Sequence, residues 1–349
     1  MDSTKPVITK ETKNKISVDY EGKLSVKERL IKKLKASHTW IKGVVNVLRF
    51  ILMLGVSYVI LFPFFSKIAG SFMDKPDVVD ATVSLIPKHP TLQIYGAVIS
   101  ENGYFSAFFN TLMLSLLCAI IQTFVACLVG YGLAKFKFKG NGIVMAFVIV
   151  TMLVPHTTLE LSMLRHFTSF ELGHIMSFGK QGLFQLIRGG SPLHLDNSFW
   201  PFVVLSLGGL AFKNGLYIYL MRQFFKGVPD ELEESAYVDG SGTFRTFLQI
   251  ILPLSVPMMI TIFLFSFSWQ WTDQFYVDMF ITNEETLKMF PDIKVVPDSL
   301  RDVTFAGHEL YDNIIYNTVG IMIIMPLVIM YLFCQKYLVQ GIERSGLVG

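Results

Sequence analysis

Three stretches of this chain run without a formal charge for longer than a helix needs to cross a bilayer. Gly103 to Ala134 is uncharged over 32 residues, Thr246 to Thr272 over 27 and Asn313 to Gln335 over 23. A hydrocarbon core about 30 Å thick takes about 20 apolar residues of α-helix. In lipid every backbone polar group must be satisfied internally, so runs of this length read as a helical bundle. A fourth run, Asn141 to Leu159, is uncharged over 19 residues; Phe50 to Ser66 follows Arg49, and Trp200 to Met221 is interrupted by Lys213. The reading is six spans, at about 44–66, 106–130, 142–164, 200–221, 250–271 and 314–336. Only 16% of the residues are charged, against about 25% in soluble proteins. A soluble enzyme of this composition would lack the polar surface to cover its core, and disorder is excluded more firmly.

The charges give the orientation. The first 43 residues hold 11 Lys/Arg against 5 Asp/Glu, and no apolar stretch begins before Val44, which does not fit a cleaved signal peptide. With this tail inside, the inner segments 1–43, 131–141, 222–249 and 335–349 carry 19 Lys/Arg and the outer segments 67–105, 165–199 and 272–313 carry 9. That asymmetry places both termini in the cytoplasm. The expected organisation is a basic cytoplasmic tail at 1–43, a six-helix domain at 44–338 and a cytoplasmic tail at 339–349. Pro63, Pro155, Pro253, Pro257 and Pro326 fall in or at the ends of spans, where neighbouring helices must cover the freed carbonyls. The outer loops are long, and Ile187–Pro192 and Lys294–Pro297 punctuate the last two as turns.

The net charge of +3 is too small to suggest a nucleic-acid partner. Cys118, Cys127 and Cys334 lie in apolar runs with no metal-ligand spacing, and His166, His174 and His194 share a loop without it. No nucleophile–base pair or carboxylate pair in an apolar setting is visible, so chemistry on a covalent bond is not expected. No G-x-x-x-x-G-K-[S/T] phosphate loop is present either.

The cytoplasmic stretch 226–253 carries the most specific signal. Pro229 suits the first turn of a helix, and Asp230, Glu231, Glu233 and Glu234 load its N-terminus with negative charge. Asp239-Gly240 is a stop, because glycine accepts the left-handed conformation at a helix end. Ser241 or Thr243 is placed to cap a second helix running into the fifth span. On local chemistry alone this is an acidic, solvated helical hairpin. Its detail goes further: Glu234-Ser-Ala, three residues, Gly240, nine residues, then Ile250-Gln-Leu-Pro253. That spacing resembles the EAA loop of ABC importer permeases, with Ser235 standing where the pattern has its first alanine. Leu220–Phe225, Leu252–Pro257, Trp269-Gln-Trp-Thr-Asp273 and Asn110-Thr-Leu112 resemble the carbohydrate-uptake, MalG-like branch.

The resemblance implies an all-α type I ABC importer permease fold with a cytoplasmic EAA coupling helix. It implies a chain that binds no cofactor itself, ATP and Mg being used by partner ATPase subunits. Glu234, Ser235, Ala236, Asp239, Gly240 and Pro253 would couple to those subunits. Ser235 and Ala236 would let the helix seat closely, and Glu234 would meet a partner cation. Gly240 would bend the chain, and Pro253 would pass the motion to the bundle. A second, MalF-like permease, an extracytoplasmic solute-binding protein docking at the acidic loop Thr272–Asn313, and the lipid of a bacterial or archaeal cytoplasmic membrane complete the expected surroundings. The cargo implied is a carbohydrate, most simply an oligosaccharide. A permease for a peptide or amino acid and a secondary transporter are the alternatives.

Ionisable groups within spans are costly and tend to face the bundle interior. Glu160, Lys213 and the adjacent Asn214 are therefore candidates for the substrate path, although Lys213 could instead snorkel and Glu160 could sit at the interface. Trp269, Trp271 and Asp273 end the fifth span; indole can stack on a sugar and a carboxylate can accept its hydroxyls. An interfacial aromatic belt would look the same in sequence.

Overall fold

The computed structural model describes residues 8–11, 17–20, 37–170 and 193–344. The turn at Ile187–Pro192, His174, most of the loop 165–199 and the last five residues of the C-terminal tail lie outside these. The chain divides into two units, Met1–Ser66 and Lys67–Gly349.

The first unit departs from the all-helical expectation in one place. Strands β1 (Ile8–Glu11) and β2 (Ser17–Tyr20) pair antiparallel, Ile8 opposite Tyr20, within the basic tail. Helix α1 (Ser37–Gly70) follows, longer at both ends than the expected first span. Its side chains from Ile41 to Phe65 are all exposed. A helix apolar on every side is suited to lipid rather than water.

In the second unit come α2 (Lys75–Val79), α3 (Gln93–Glu101), α4 (Tyr104–Lys135), α5 (Asn141–Leu153), α6 (Glu160–Thr168), α7 (Trp200–Leu207), α8 (Asn214–Lys226), α9 (Glu231–Val238), α10 (Thr243–Trp271), α11 (Phe275–Phe280) and α12 (His308–Arg344). Helices α1, α4, α10 and α12 are each long and apolar enough to cross a bilayer.

Two expected spans are broken. The 142–164 span is not one helix: α5 ends at Leu153, a 3₁₀ turn covers His156–Leu159, and the path bends by 94° into α6. Pro155 is the cause, since it drives Val154 into the extended region (ψ 119°) and has no N–H to continue the ladder. The 200–221 span is likewise two helices, α7 and α8, separated at Gly208–Lys213. Gly209 and Lys213 both adopt positive φ there, 71° and 64°.

Helix α4 is the spine of this unit, packing along α8, α10 and α7, while α10 packs on α12 and α5 on α8. Small residues set the closest approaches. A Cβ on Gly130 would stand 2.6 Å from the Cβ of Met221, and one on Gly215 would stand 2.5 Å from Thr151 Oγ1. A buried polar tie joins three helices: Gln122 Nε2 donates to Ser206 Oγ (3.2 Å) and Ser266 Oγ donates to Gln122 Oε1 (2.7 Å). The acidic loop after α10 is packed rather than loose. Asn102 Nδ2 donates to the carbonyls of Ile293 and Val295, and Asn110 Nδ2 donates to that of Lys288. The loop's own Met289, Phe290 and Ile293 are buried, and Lys75 pairs with its Asp302 at 3.1 Å.

Candidate functional site

The hairpin 226–253 folds as two helices, as its punctuation suggests, and its turn is explicit. Asp239 closes α9, Gly240 follows at φ +80°, the Gly240 N–H donates to Tyr237 O (3.0 Å), and the Ser241 N–H donates to Ala236 O (2.9 Å). This pair of bonds is a complete Schellman closure, and it satisfies carbonyls that would otherwise be orphaned. The cap of the next helix differs from expectation: Gly242 holds the N-cap position, and Ser241 Oγ instead accepts from Thr246 Oγ1 at 3.1 Å. Pro253 stands in the first turn of the regular α-helical run Leu252–Trp271 of α10, just after a π-helical stretch at Phe247–Ile251 whose wider ladder precedes the residue that lacks an N–H.

One face of α9 is anchored and the other is presented. Ala236 is buried, whereas Glu234, Ser235, Asp239 and Gly240 are exposed and Val238 is 87% exposed. The anchor is a set of residues that the sequence did not single out. Tyr131 Oη donates to the buried Glu233 Oε1 at 2.6 Å, both from opposite ends of a long sequence interval. Lys135 Nζ donates to Val228 O (2.7 Å) and Asp230 Oδ1 (2.5 Å) and lies 3.8 Å from Glu233 Oε2. The Lys135 ammonium accordingly holds the Asp230 carboxyl below the usual carboxylate range. Two acids of Asp230-Glu-Leu-Glu-Glu234 thus bind the end of α4, and Glu234 is left facing outward. Nothing in a run of four acids marks which one turns inward.

A second cluster forms where the two broken spans meet the end of α10. Lys213 Nζ lies 4.8 Å from the ring centroid of Phe212 and 5.2 Å from that of Trp269. Phe212 also meets Trp269 and His156 edge-on at 5.4 and 5.2 Å, and His156 Nδ1 is hydrogen-bonded to Tyr276 Oη. Asp273, just past α10, accepts from the Tyr276 N–H and from Gln270 Nε2. Burial pushes its carboxyl up to about 6. Lys213 and Asp273 form no ion pair with each other or with another described residue.

Lys213, Trp269 and Asp273 are therefore brought to one region, and the other three candidates lie elsewhere. Asn214 is fully buried and donates to Ser206 O at 3.4 Å. Glu160 is exposed at the start of α6. Trp271 is core: it is 2% exposed, stacks on Phe267, and its indole N–H donates to Ile323 O at 2.9 Å. His156, Phe212 and Tyr276 are additions from the structure. The signal for His156 was its place beside a mid-span proline, where the backbone opens and a polar ring can face inward. A cation over aromatic faces, an exposed indole and a carboxylate can stack on and hydrogen-bond a polyhydroxylated solute. No group of three His, Cys, Asp or Glu residues with metal-binding geometry occurs among the described residues.

Residues 122–344 match the family model described as binding-protein-dependent transport system inner membrane component. The chain is 28% identical to the arabinooligosaccharides transport system permease protein AraQ of Bacillus subtilis, over 86% of this chain and 94% of that one. It is 25% identical to the maltodextrin transport system permease protein MalD of Streptococcus pneumoniae, with the same two coverages. Its fold is similar to that of a bacterial ABC transporter involved in import of the acidic polysaccharide alginate, solved by crystallography. There the TM-score is 0.60 at 22% identity, over 91% of this chain and 99% of the other.

Proposed function

The chain belongs to the binding-protein-dependent transport system inner membrane component family, and from that premise we propose that it is a permease subunit of an ATP-driven importer carrying an oligosaccharide into the cytoplasm. The observation that carries this reading is the presented face of α9. Glu234 and Ser235 stand exposed on a helix, with Gly240 exposed in the turn after it, and the helix's other face is fastened to α4 by Tyr131 and Lys135. A membrane chain without a phosphate-binding loop needs an external source of work, and a rigidly anchored helix with an exposed charged and apolar face is a suitable handle. Two ATPase subunits using ATP and Mg would grip it, and their closure would rotate the bundle. A second, MalF-like permease would complete the membrane portion. An extracytoplasmic solute-binding protein would deliver cargo to the packed acidic loop, with both termini of this chain cytoplasmic. The oligosaccharide cargo rests on the relatives' substrates and on the aromatic cluster around Trp269.

The test is to tag the chain in its native host, solubilise the membranes gently and identify what co-purifies by mass spectrometry. An ATPase and a second permease in stoichiometric amounts are expected; recovery of the chain alone or only with itself would overturn the reading. The two neighbouring tryptophans give a finer check. Trp271→Ala empties a core position and is expected to cost about 3–5 kcal/mol of stability, read as a lower thermal unfolding midpoint in detergent. Trp269→Ala should leave that midpoint unchanged and slow oligosaccharide uptake. Equal midpoints for both variants would refute the placement.

A further inference from the structure

A pocket of about 540 Å³ lies among the ends of α4 and α8, the start of α5 and the 136–140 connection between α4 and α5. Its lining includes Lys137, Lys139, Arg222 and Lys226, together with Phe136 and Phe138, and no acidic residue. We propose that this pocket binds the phosphate headgroup of an acidic phospholipid of the inner leaflet.

Four cations converge there without neutralisation. Lys137, Lys139 and Lys226 form no ion pair and donate no side-chain hydrogen bond among the described residues. Arg222 spends only its Nε, on Leu133 O at 3.4 Å. Asp230, whose carboxyl feels the charge of Lys137, is already held by Lys135. Gathered at one pocket, these charges make it attractive to an anion.

The aromatic residues decide which anion. Phe136 and Phe138 alternate with the lysines in a non-helical segment and are 44% and 46% exposed. A soluble phosphate or an acidic protein tail would leave these rings in water. A phospholipid covers both needs, its phosphate meeting the ammonium groups and its acyl chains meeting the rings. The position suits it, because the pocket sits where two membrane helices turn back on the side that carries the excess of basic residues. Basic pockets between helix ends at that interface bind anionic headgroups.

The experiment uses the full chain with its co-purifying partners, in phosphatidylcholine vesicles carrying either a photoactivatable phosphatidylglycerol or the matching phosphatidylcholine probe. After illumination the cross-linked peptides are mapped by mass spectrometry. Phosphatidylglycerol is expected to label peptides containing 136–141 and 222–226, and phosphatidylcholine is expected not to. In the variant Lys137→Gln/Lys139→Gln/Lys226→Gln, which leaves Arg222 and the Lys135 anchor intact, that labelling should fall at least about tenfold. Equal labelling by the two probes in the wild-type chain would overturn the proposal, and that comparison does not depend on the variant folding. So would displacement of the phosphatidylglycerol probe by inorganic phosphate, which would make the site one for a soluble anion.

Discussion

Gly240→Pro is expected to abolish solute uptake while the chain remains in the membrane at its normal level. The residue sits at φ +80°, and proline is held near −65°. The substitution also removes the N–H that donates to Tyr237 O at 3.0 Å. Both changes act on the closure that sends the backbone from α9 into α10, and together they should cost about 3 kcal/mol or more locally. That is about a hundredfold in the population of the correct turn. The conformational cause can be separated from a packing cause, because a Cβ at Gly240 would meet nothing within 4 Å. Gly240→Asn, which tolerates the left-handed region, should therefore retain most activity, with Gly240→Ala between the two. Uptake measured alongside immunoblots of the membrane fraction gives the comparison. Undiminished transport in the proline variant would overturn the proposed coupling role of the turn.

How far the sequence carried this reading depended on whether each feature is a local or a tertiary matter. The spans at 106–130, 250–271 and 314–336 were legible because an uninterrupted apolar run and the bilayer thickness are local and additive. The stop at Gly240 was legible because the left-handed turn is a one-residue requirement. The breaks were harder. Pro155 marks a kink site, yet a proline inside a membrane helix is compatible with a mild bend as well as with the 94° turn found here. The gap at Gly208–Lys213 is hidden in the sequence because a lysine between apolar runs looks the same inside a helix as in a turn. The positive φ of Lys213 makes it a turn residue, and its ammonium lies over Phe212 and Trp269. Trp269 and Trp271 are two residues apart and were indistinguishable by type. The helical period alone sends one toward Ile323 and leaves the other 48% exposed. The anchor of α9 was out of reach for a related reason. Tyr131 and Glu233 are separated by more than a hundred residues, and nothing local tells Glu233 from Glu234.

That anchor supplies the second large effect. Lys135→Met should uncouple the transporter, with uptake falling about a hundredfold while basal ATP hydrolysis by the co-purified complex continues. The Lys135 side chain is 7% exposed and serves three acceptors, the Val228 carbonyl, Asp230 and Glu233. Asp230 is exposed and can return to water, so its loss of a partner matters little. Glu233 is buried and would keep only the Tyr131 hydroxyl, and stranding a buried charge costs about 3–5 kcal/mol. The hairpin would relieve that cost by lifting from α4, so that motion imposed on Glu234 and Ser235 would no longer reach the bundle. Adding Glu233→Gln to Lys135→Met separates this mechanism from simple loss of a contact. The amide still accepts from Tyr131, and no buried charge remains, so the double variant should transport better than Lys135→Met alone. If both contacts merely added, it would transport worse. Uptake rates of the four chains in that cycle decide the matter, and a double variant at or below the single one would show that Lys135 acts without balancing Glu233.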